Sequence, residues 1–479
     1  MPERPAAWKK RPAAEKVAGT CLWCAALAGA FALYLSSLSF PFASDDYVHL
    51  KWLSSFSWRS VPALLATPGG DGFFRPAGYV FLAAVAELAG SDPVRFHLAS
   101  LLLHAANCFL LGRLALRLGW RPEAAAFSAT AFAIHGAHPE AVVWMAGIFD
   151  LTATLWVLLA LLASLAYDET RLLQHRVTAL VAGLLALLSK ELAFVLPVLL
   201  FLCLWHSQKR QAREALRAAA PLLFLTVLVF GYRYYLLGGV GGYLDPRTGQ
   251  PQALSMTVSG ALQVLLFRLW GPLYFPVNWS SPPGIGLALL TVAAALAYLT
   301  AAWTEPRQTK FRLALCLTAV AALPALHQLS ISESLEKARL LYAPSIGFSL
   351  LLGAAFGAVK ALPQRCAIAA MVLLFHGEAL RHNLSIWENV TRLANEACLD
   401  VSRSLTASDR KVTLVGLPAS LSGVYFFRNG FPECVEMKSG RSVNVTIAPT
   451  DAVLDTENTH PVFRWNGQRQ RLERRPPHP

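Results

Sequence analysis

Charge is what this sequence has least of. Asp, Glu, Lys and Arg supply 15% of the 479 residues, against about 25% in a typical soluble domain, while 55% are hydrophobic and the mean hydropathy is positive. That balance excludes an ordinary soluble domain and indicates an integral membrane protein. Internal repeats are also missing, and the last hundred residues carry no tetratricopeptide pattern, so a helical-repeat solenoid is excluded. Acidic residues (29) are fewer than basic ones (42). The excess does not point to nucleic acid, because the basic residues sit in short loops between apolar segments, as the positive-inside rule expects of cytoplasmic loops.

Cysteines in polar sequence are equally scarce. Cys21, Cys24, Cys108, Cys203, Cys316 and Cys366 lie in or beside apolar runs, so the Cys21/Cys24 spacing reads as two small apolar residues rather than a redox or metal motif. Cys398 and Cys434 alone fall in polar sequence, and they can pair if that region lies outside the cell.

What is present is a succession of apolar segments. Residues 17–38 carry no charge and have about the length needed to cross a bilayer as a helix, so they read as a retained first span rather than a cleaved signal peptide. The segment before it, 1–16, is basic and should stay cytoplasmic, so the first helix runs outward. A polar stretch of about 40–94 follows, with an apolar part that suits a helix on or dipping into the outer face. Further spans are expected at 95–116, 123–137, 141–166, 177–188, 192–206, 218–237, 284–303, 311–329, 340–359 and 366–381, with a Gly- and Pro-rich outer loop, 238–283, holding a partly immersed helix. Basic residues such as Arg117, Arg121, Arg171, Arg176, Arg213, Arg217, Arg312 and Arg365 fall at the inner turns. The fold class is therefore an all-α polytopic membrane protein with about eleven transmembrane helices over 17–390. A small extracytoplasmic domain, α/β or β-rich, is expected over 391–479, because KVTLVGL and GVYFF are strand-like and Asn429-Gly430 and Asn466-Gly467 are tight-turn signals.

The charged residues that do occur near apolar runs fall on one side. Asp45, Asp46, His49, Arg75, His135, His138, Glu140, Lys190, Glu191, Glu333, Lys337 and Arg339 all lie at or near the expected outer face. Charges at membrane depth are costly and usually face a cavity, a partner or a substrate. The bland alternative is that each caps a helix end at the interface. Two adjacent carboxylates suit a general base and its neighbour. Lys190, Lys337, Arg339 and Arg75 suit a phosphate leaving group, whose developing charge fixed cations stabilise. Together they read as group transfer from a lipid-linked phosphate donor. His135 and His138 have spacing compatible with zinc, but Gly136 and Pro139 interrupt the helix. They read instead, with Glu140, as a hydrogen-bonded polar corner of the site or a purely structural one, and no metal or other cofactor is assigned.

The order of these pieces resembles a known family. The Asp pair after the first helix, the Phe74-Arg75-Pro76 triplet, FHLASLLLHAAN, FAIHGAHPEAVVWMAGIFDL, the Ser189-Lys190-Glu191 triplet and EKARLLYAPSIGF look like the membrane part of the transmembrane and tetratricopeptide-repeat O-mannosyltransferases and their bacterial relatives. These are C-type (GT-C) membrane glycosyltransferases, and the resemblance covers about 17–390. It implies an inverting transferase that takes a sugar from a polyprenyl-phosphate donor on the outer face of the membrane. By analogy Asp45 or Asp46 deprotonates the acceptor hydroxyl, Lys190 and Arg339 contact the donor phosphate, and His49, His135, His138, Glu140, Asp150, Glu191 and Tyr342 belong to the acceptor and sugar pocket. Two departures matter. Ile148 stands where the family has an arginine ahead of Asp150, and the repeat domain is replaced by the short tail, so the acceptor, whether glycan, lipid or protein, stays open. The expected location is a bacterial cytoplasmic membrane. A lipid-linked-sugar transporter or flippase and an inactive scaffold are the rival readings.

Overall fold

The computed structural model describes residues 28–67, 72–207, 211–245, 249–304, 309–329, 331–450 and 460–474. The first half of the expected first span, including Cys21 and Cys24, lies outside the described residues, and Ala28–Ser39 is its described end.

The polar stretch that follows folds into helices α1 (Asp45–Ser55), with both aspartates in its first turn, and α2 (Pro76–Ala89). After them come α3 (Pro93–Arg117), α4 (Pro122–Ala133), α5 (Ile148–Thr170), α6 (Leu173–Leu187), α7 (Leu196–Ser207) and α8 (Ala212–Leu237). Prolines at the first turns of α2, α3 and α4 begin these helices where an amide would lack a partner anyway. Asp92 caps α3 by accepting from the Val94 amide at 3.0 Å. Then come α9 (Ile285–Thr304), α10 (Thr309–Ala322), α11 (Pro344–Ala358) and α12 (Leu362–Ser404).

Among the described residues four helices, Pro93–Arg117, Met145–Thr170, Ala212–Leu237 and Thr309–Gln328, are long and apolar enough to cross a membrane, and shorter apolar helices lie at most of the other expected spans. The protein is a multi-pass membrane protein. Leu223, Phe224, Val227 and Leu228 on α8 and Leu289, Val292 and Leu296 on α9 stay exposed, as lipid-facing positions do. Two elements depart from the sequence reading. The expected span at 123–137 is the 12-residue α4, about 18 Å long, almost wholly buried against α3 and α11. The expected span at 366–381 is in the first half of the 43-residue α12, a rod of about 65 Å that continues into the region assigned to the tail.

The tail is an α/β unit. Strands β1 (Lys411–Val415), β2 (Ser420–Leu421), β3 (Val424–Tyr425), β4 (Asn444–Ala448), β5 (Val462–Asn466) and β6 (Arg471–Arg474) accompany helix α13 (Phe431–Ser439). The main sheet has the order β4-β1-β5-β6. In it β1 runs parallel to β4 and β5, with Thr413 opposite both Thr446 and Val462, and β5 turns antiparallel into β6. The Asn466-Gly467 turn joins those last two strands. Asn429-Gly430, by contrast, starts α13 instead of a hairpin, with Pro432 in the first helical turn favouring a helix start. Cys398 on α12 and Cys434 on α13 form a disulfide with Cα atoms 6.1 Å apart. Tyr425, Phe426, Phe427, Phe431 and Phe463 join the same apolar core as Tyr34, Phe96 and Trp144, so the tail is packed onto the bundle rather than tethered to it.

Candidate active site

The Asp pair sits on a tight turn. Ser44 adopts a left-handed φ of 52°, a conformation unfavourable for a residue with a Cβ, and the chain then enters α1. Asp46 is buried at 2% exposure. One of its oxygens accepts from the Ala43 amide at 3.1 Å; the other is buried, approached by the Met145 and Ala146 amides without reaching hydrogen-bond geometry. Burial pushes its carboxyl well above the usual carboxylate range, and the neighbouring Asp45 adds to the rise. Asp45 is half-exposed, and its Oδ1 accepts from the Asn429 side-chain amide at 2.7 Å. The two carboxylates, equivalent in the sequence, differ in burial, and Asp45 is the one facing solvent.

Three ion pairs lie beyond this turn. Lys190 pairs with Asp150, whose side chains are 10% and 2% exposed, and Arg339 pairs with Glu140. Arg75 makes a forked contact with Glu191 through Nε at 3.0 Å and Nη2 at 2.7 Å, and Arg233 approaches the same carboxylate at 3.6 Å. Local structure explains the grouping. Asp150 opens α5, Lys190 lies in the break between apolar segments Leu173–Leu187 and Glu191–His206, and Arg75 precedes α2. Burial pulls Lys190 down to about 8 against the pull of Asp150, with the positive charges of Arg75 and Arg339 adding to the fall. Burial raises Glu140 against the opposing charge of Arg339.

The turn and the pairs are joined by aromatic rings. Trp144 Nε1 donates to the Ala43 carbonyl at 3.4 Å. The Arg339 guanidinium lies 4.8 Å from the Trp144 ring centre and 5.4 Å from that of Tyr425. Arg428 stands 5.3 Å from the same Tyr425 ring. Below the pairs, Thr154, Leu158 and Leu161 of α5 face Leu192, Leu199, Leu317 and Ile346 across a narrow apolar furrow with a free volume of only about 30 Å³, which begins one helical turn from Asp150.

The structure thus gathers Asp45, Asp46, Arg75, Glu140, Asp150, Lys190, Glu191 and Arg339 at one end of the bundle. His49 stands at the edge, its ring 5.6 Å from Phe149 and 6.0 Å from Tyr79. Lys337, at a left-handed φ of 72°, precedes the short turn that carries Arg339. His135, His138 and Tyr342 lie elsewhere. They are fully buried and packed edge-on or tilted against His104, Phe132 and His376. His135 Nε2 donates to the Leu273 carbonyl at 3.0 Å, His138 Nε2 bonds Ser345 Oγ at 2.8 Å, and Tyr342 OH bonds His104 Nδ1 at 2.7 Å. That is a packed, hydrogen-bonded polar cluster, one of the two arrangements the sequence allowed for the histidines. Among the described residues no group of three His, Cys, Asp or Glu is arranged to hold a metal.

Sequence reasoning missed Arg233, Trp144, Tyr425, Arg428 and Asn429. Arg233 carried a signal, a lone cation in the 218–237 run; the tail residues carried none, because their contacts are with residues hundreds of positions away.

No family model matches the chain. Protein O-mannosyl-transferase TMTC2 of Mus musculus is 31% identical over 150 residues, 29% of this chain and 18% of its own. Protein O-mannosyl-transferase Tmtc1 of Drosophila melanogaster is 30% identical over 190 residues, 38% of this chain and 22% of its own. The chain therefore spans only about a fifth of the length of the curated relatives it matches. The crystal structure of ArnT from Cupriavidus metallidurans in the apo state covers 93% of both chains at 14% identity with a TM-score of 0.51. The resemblance to C-type membrane glycosyltransferases read from the sequence motifs holds: part of the chain is similar to protein O-mannosyl-transferases, and its fold is similar to that of ArnT.

Proposed function

We propose that the protein is a glycosyltransferase that moves a sugar from a polyprenyl-phosphate carrier to an acceptor hydroxyl on the outer face of a bacterial cytoplasmic membrane. The observation that carries this reading is the half-exposed Asp45 beside a cluster of buried cations at the end of an apolar furrow. The donor phosphate sits against Lys190 and Arg339, and its prenyl chain descends between α5 and the Leu199, Leu317 and Ile346 wall. Asp45 takes the proton of the acceptor hydroxyl as that oxygen bonds the anomeric carbon from the side opposite the phosphate. The bond from the anomeric carbon to the phosphate oxygen breaks, polyprenyl phosphate leaves, and the configuration inverts. Fixed cations in a buried site stabilise the charge that develops on the leaving phosphate without reorganising. Asp46, buried and biased toward its protonated form, anchors the turn.

The basic turns at the far ends of the helices support an orientation with this site outside. Ile148 in place of an arginine leaves Asp150 to its ion pair with Lys190, so the cations facing the phosphate are Lys190 and Arg339. The test is sugar transfer by the purified protein from a panel of radiolabelled polyprenyl-phosphate sugars, with membrane extract as acceptor source. Transfer by wild type and its loss in Asp45→Asn, with donor binding kept, is the expected result. Equal donor binding with no release or incorporation of sugar by any variant overturns the transferase reading in favour of transport.

A further inference from the structure

A cavity lies well away from this site. It has a volume of about 480 Å³ and lies where the far end of α5 meets α6, α7 and α8. Asp150 and Asp168 stand at opposite ends of α5, eighteen positions and about 27 Å apart, close to the roughly 30 Å of a hydrocarbon core. The cavity is therefore at the opposite membrane interface from the ion pairs.

Its lining is divided. At the mouth are Arg171 from the α5–α6 turn, Arg176 from the start of α6, Arg217 and Glu214 from the start of α8, and Asp168 and Tyr167 from α5. Arg171 donates to Asp168 Oδ1 at 3.2 Å and Arg176 to the Tyr167 hydroxyl at 3.2 Å, and both guanidinium groups lie against the Tyr167 ring, at 5.6 and 5.3 Å from its centre. The Arg171 charge is answered in part by Asp168. Behind the mouth the wall is apolar: Ala179 and Leu180 of α6, Leu200 and Leu204 of α7, Leu222 of α8. Exposed apolar residues continue outward from it, Leu216 and Leu223 on α8 and Leu173 and Val177 on α6.

A cleft with guanidinium groups at the rim, an apolar floor and an apolar outer slope, set at a membrane interface, matches a molecule with an anionic head and hydrocarbon tails. A free inorganic phosphate would leave the floor unfilled, and an uncharged lipid would leave unmatched the excess of Arg171, Arg176 and Arg217 over Asp168 and Glu214. We propose that this cavity holds the headgroup of an anionic phospholipid, with its phosphate between Arg176 and Arg217, the first methylenes in the cavity and the rest of the acyl chains along α6 and α8. The volume admits the headgroup and glycerol region, not the whole lipid. This site does not depend on the transferase reading.

The experiment is native mass spectrometry of the detergent-purified protein, with thermal unfolding, on titrating phosphatidylglycerol, phosphatidylcholine or inorganic phosphate. Wild type should retain phosphatidylglycerol in preference to phosphatidylcholine and unfold at a higher temperature in its presence. Arg176→Gln/Arg217→Gln should weaken that retention by about thirtyfold, as two basic residues near an anionic lipid imply. Arg176→Lys/Arg217→Lys, which keeps the charge, should restore most of it. Equal retention of both lipids by wild type overturns the proposal without any variant. So does undiminished retention by a folded glutamine variant, or displacement of phosphatidylglycerol by millimolar inorganic phosphate, which would make this a free-phosphate site.

Discussion

Asn429 donates its side-chain amide to Asp45 Oδ1 at 2.7 Å across a sequence separation of 384. The contact sits in a larger latch between tail and bundle. Gly430, at φ 85°, rests so closely on the Ser44 carbonyl that no Cβ fits there, the Phe427 ring stacks on Tyr47 at 6.5 Å, and Lys51 pairs with Glu436.

If Asn429 orients the base, removing its amide should act on turnover more than on donor binding. A hydrogen bond to a charged group is worth about 1.5–3 kcal/mol, so Asn429→Ala should lower kcat roughly 10- to 100-fold with little change in KM for the donor. A parallel loss of thermal stability and of both kinetic constants would assign Asn429 to folding alone.

The two aspartates should separate cleanly. Asp45→Asn should lower turnover by about 10²–10⁴, the range of a lost general base, while Asp46→Asn, which imitates the protonated acid already favoured there, should keep most activity. Because the folded state holds the Asp46 proton above the usual carboxylate range, its contribution to stability is complete below a pH of about 4 and is lost as pH rises through the higher folded value. Denaturant titrations at several pH values should show this fall in wild type and a flatter profile in Asp46→Asn.

Donor affinity should depend on Lys190. With its amine near 8, the cation offered to phosphate disappears as pH rises through that value, so donor affinity measured by radiolabel binding should weaken above pH 8. Lys190→Arg should remove that dependence. Lys190→Ala should cost about 3–5 kcal/mol in stability, since Asp150 is then a buried unpaired charge, and Lys190→Ala/Asp150→Ala should recover part of it.

The Cys398–Cys434 bond closes a loop with a sequence separation of 36 and ties α13, which packs on α1, to α12. Its loss in Cys434→Ser should cost about 2–4 kcal/mol and raise proteolytic cleavage between 405 and 474 before the bundle is affected. Cleavage patterns unchanged from wild type would show that packing alone seats the tail.

The site charges could be picked out in the sequence because charge is scarce: Asp45, Arg75, Glu140, Asp150, Lys190 and Arg339 stand out against apolar runs, and the fold brings them together. His135 and His138 stood out for the same reason; their flanks, Phe132 and Val142, are core residues, and the imidazoles bond the Leu273 carbonyl and the Ser345 hydroxyl in the interior. The length of α12 was written in the sequence as well. Leu384, Trp387, Thr391, Ala394, Cys398 and Val401 are all buried and recur every three or four positions, the helical period, but the polar residues between them masked a helix that leaves the apolar zone without stopping. The tail's part in the site had no local sign, since Tyr425, Arg428 and Asn429 gain their meaning only from residues far earlier in the chain.

That separation has a meaning in time. At about 5–20 residues per second of synthesis, the stretch from Asp45 to Asn429 takes roughly 20–80 s to make. Through that interval the Asp turn exists without the segment that locks it, and the Asp45 carboxylate is unbraced. The order of the chain therefore delays the finished charge cluster until the bundle behind it has been made.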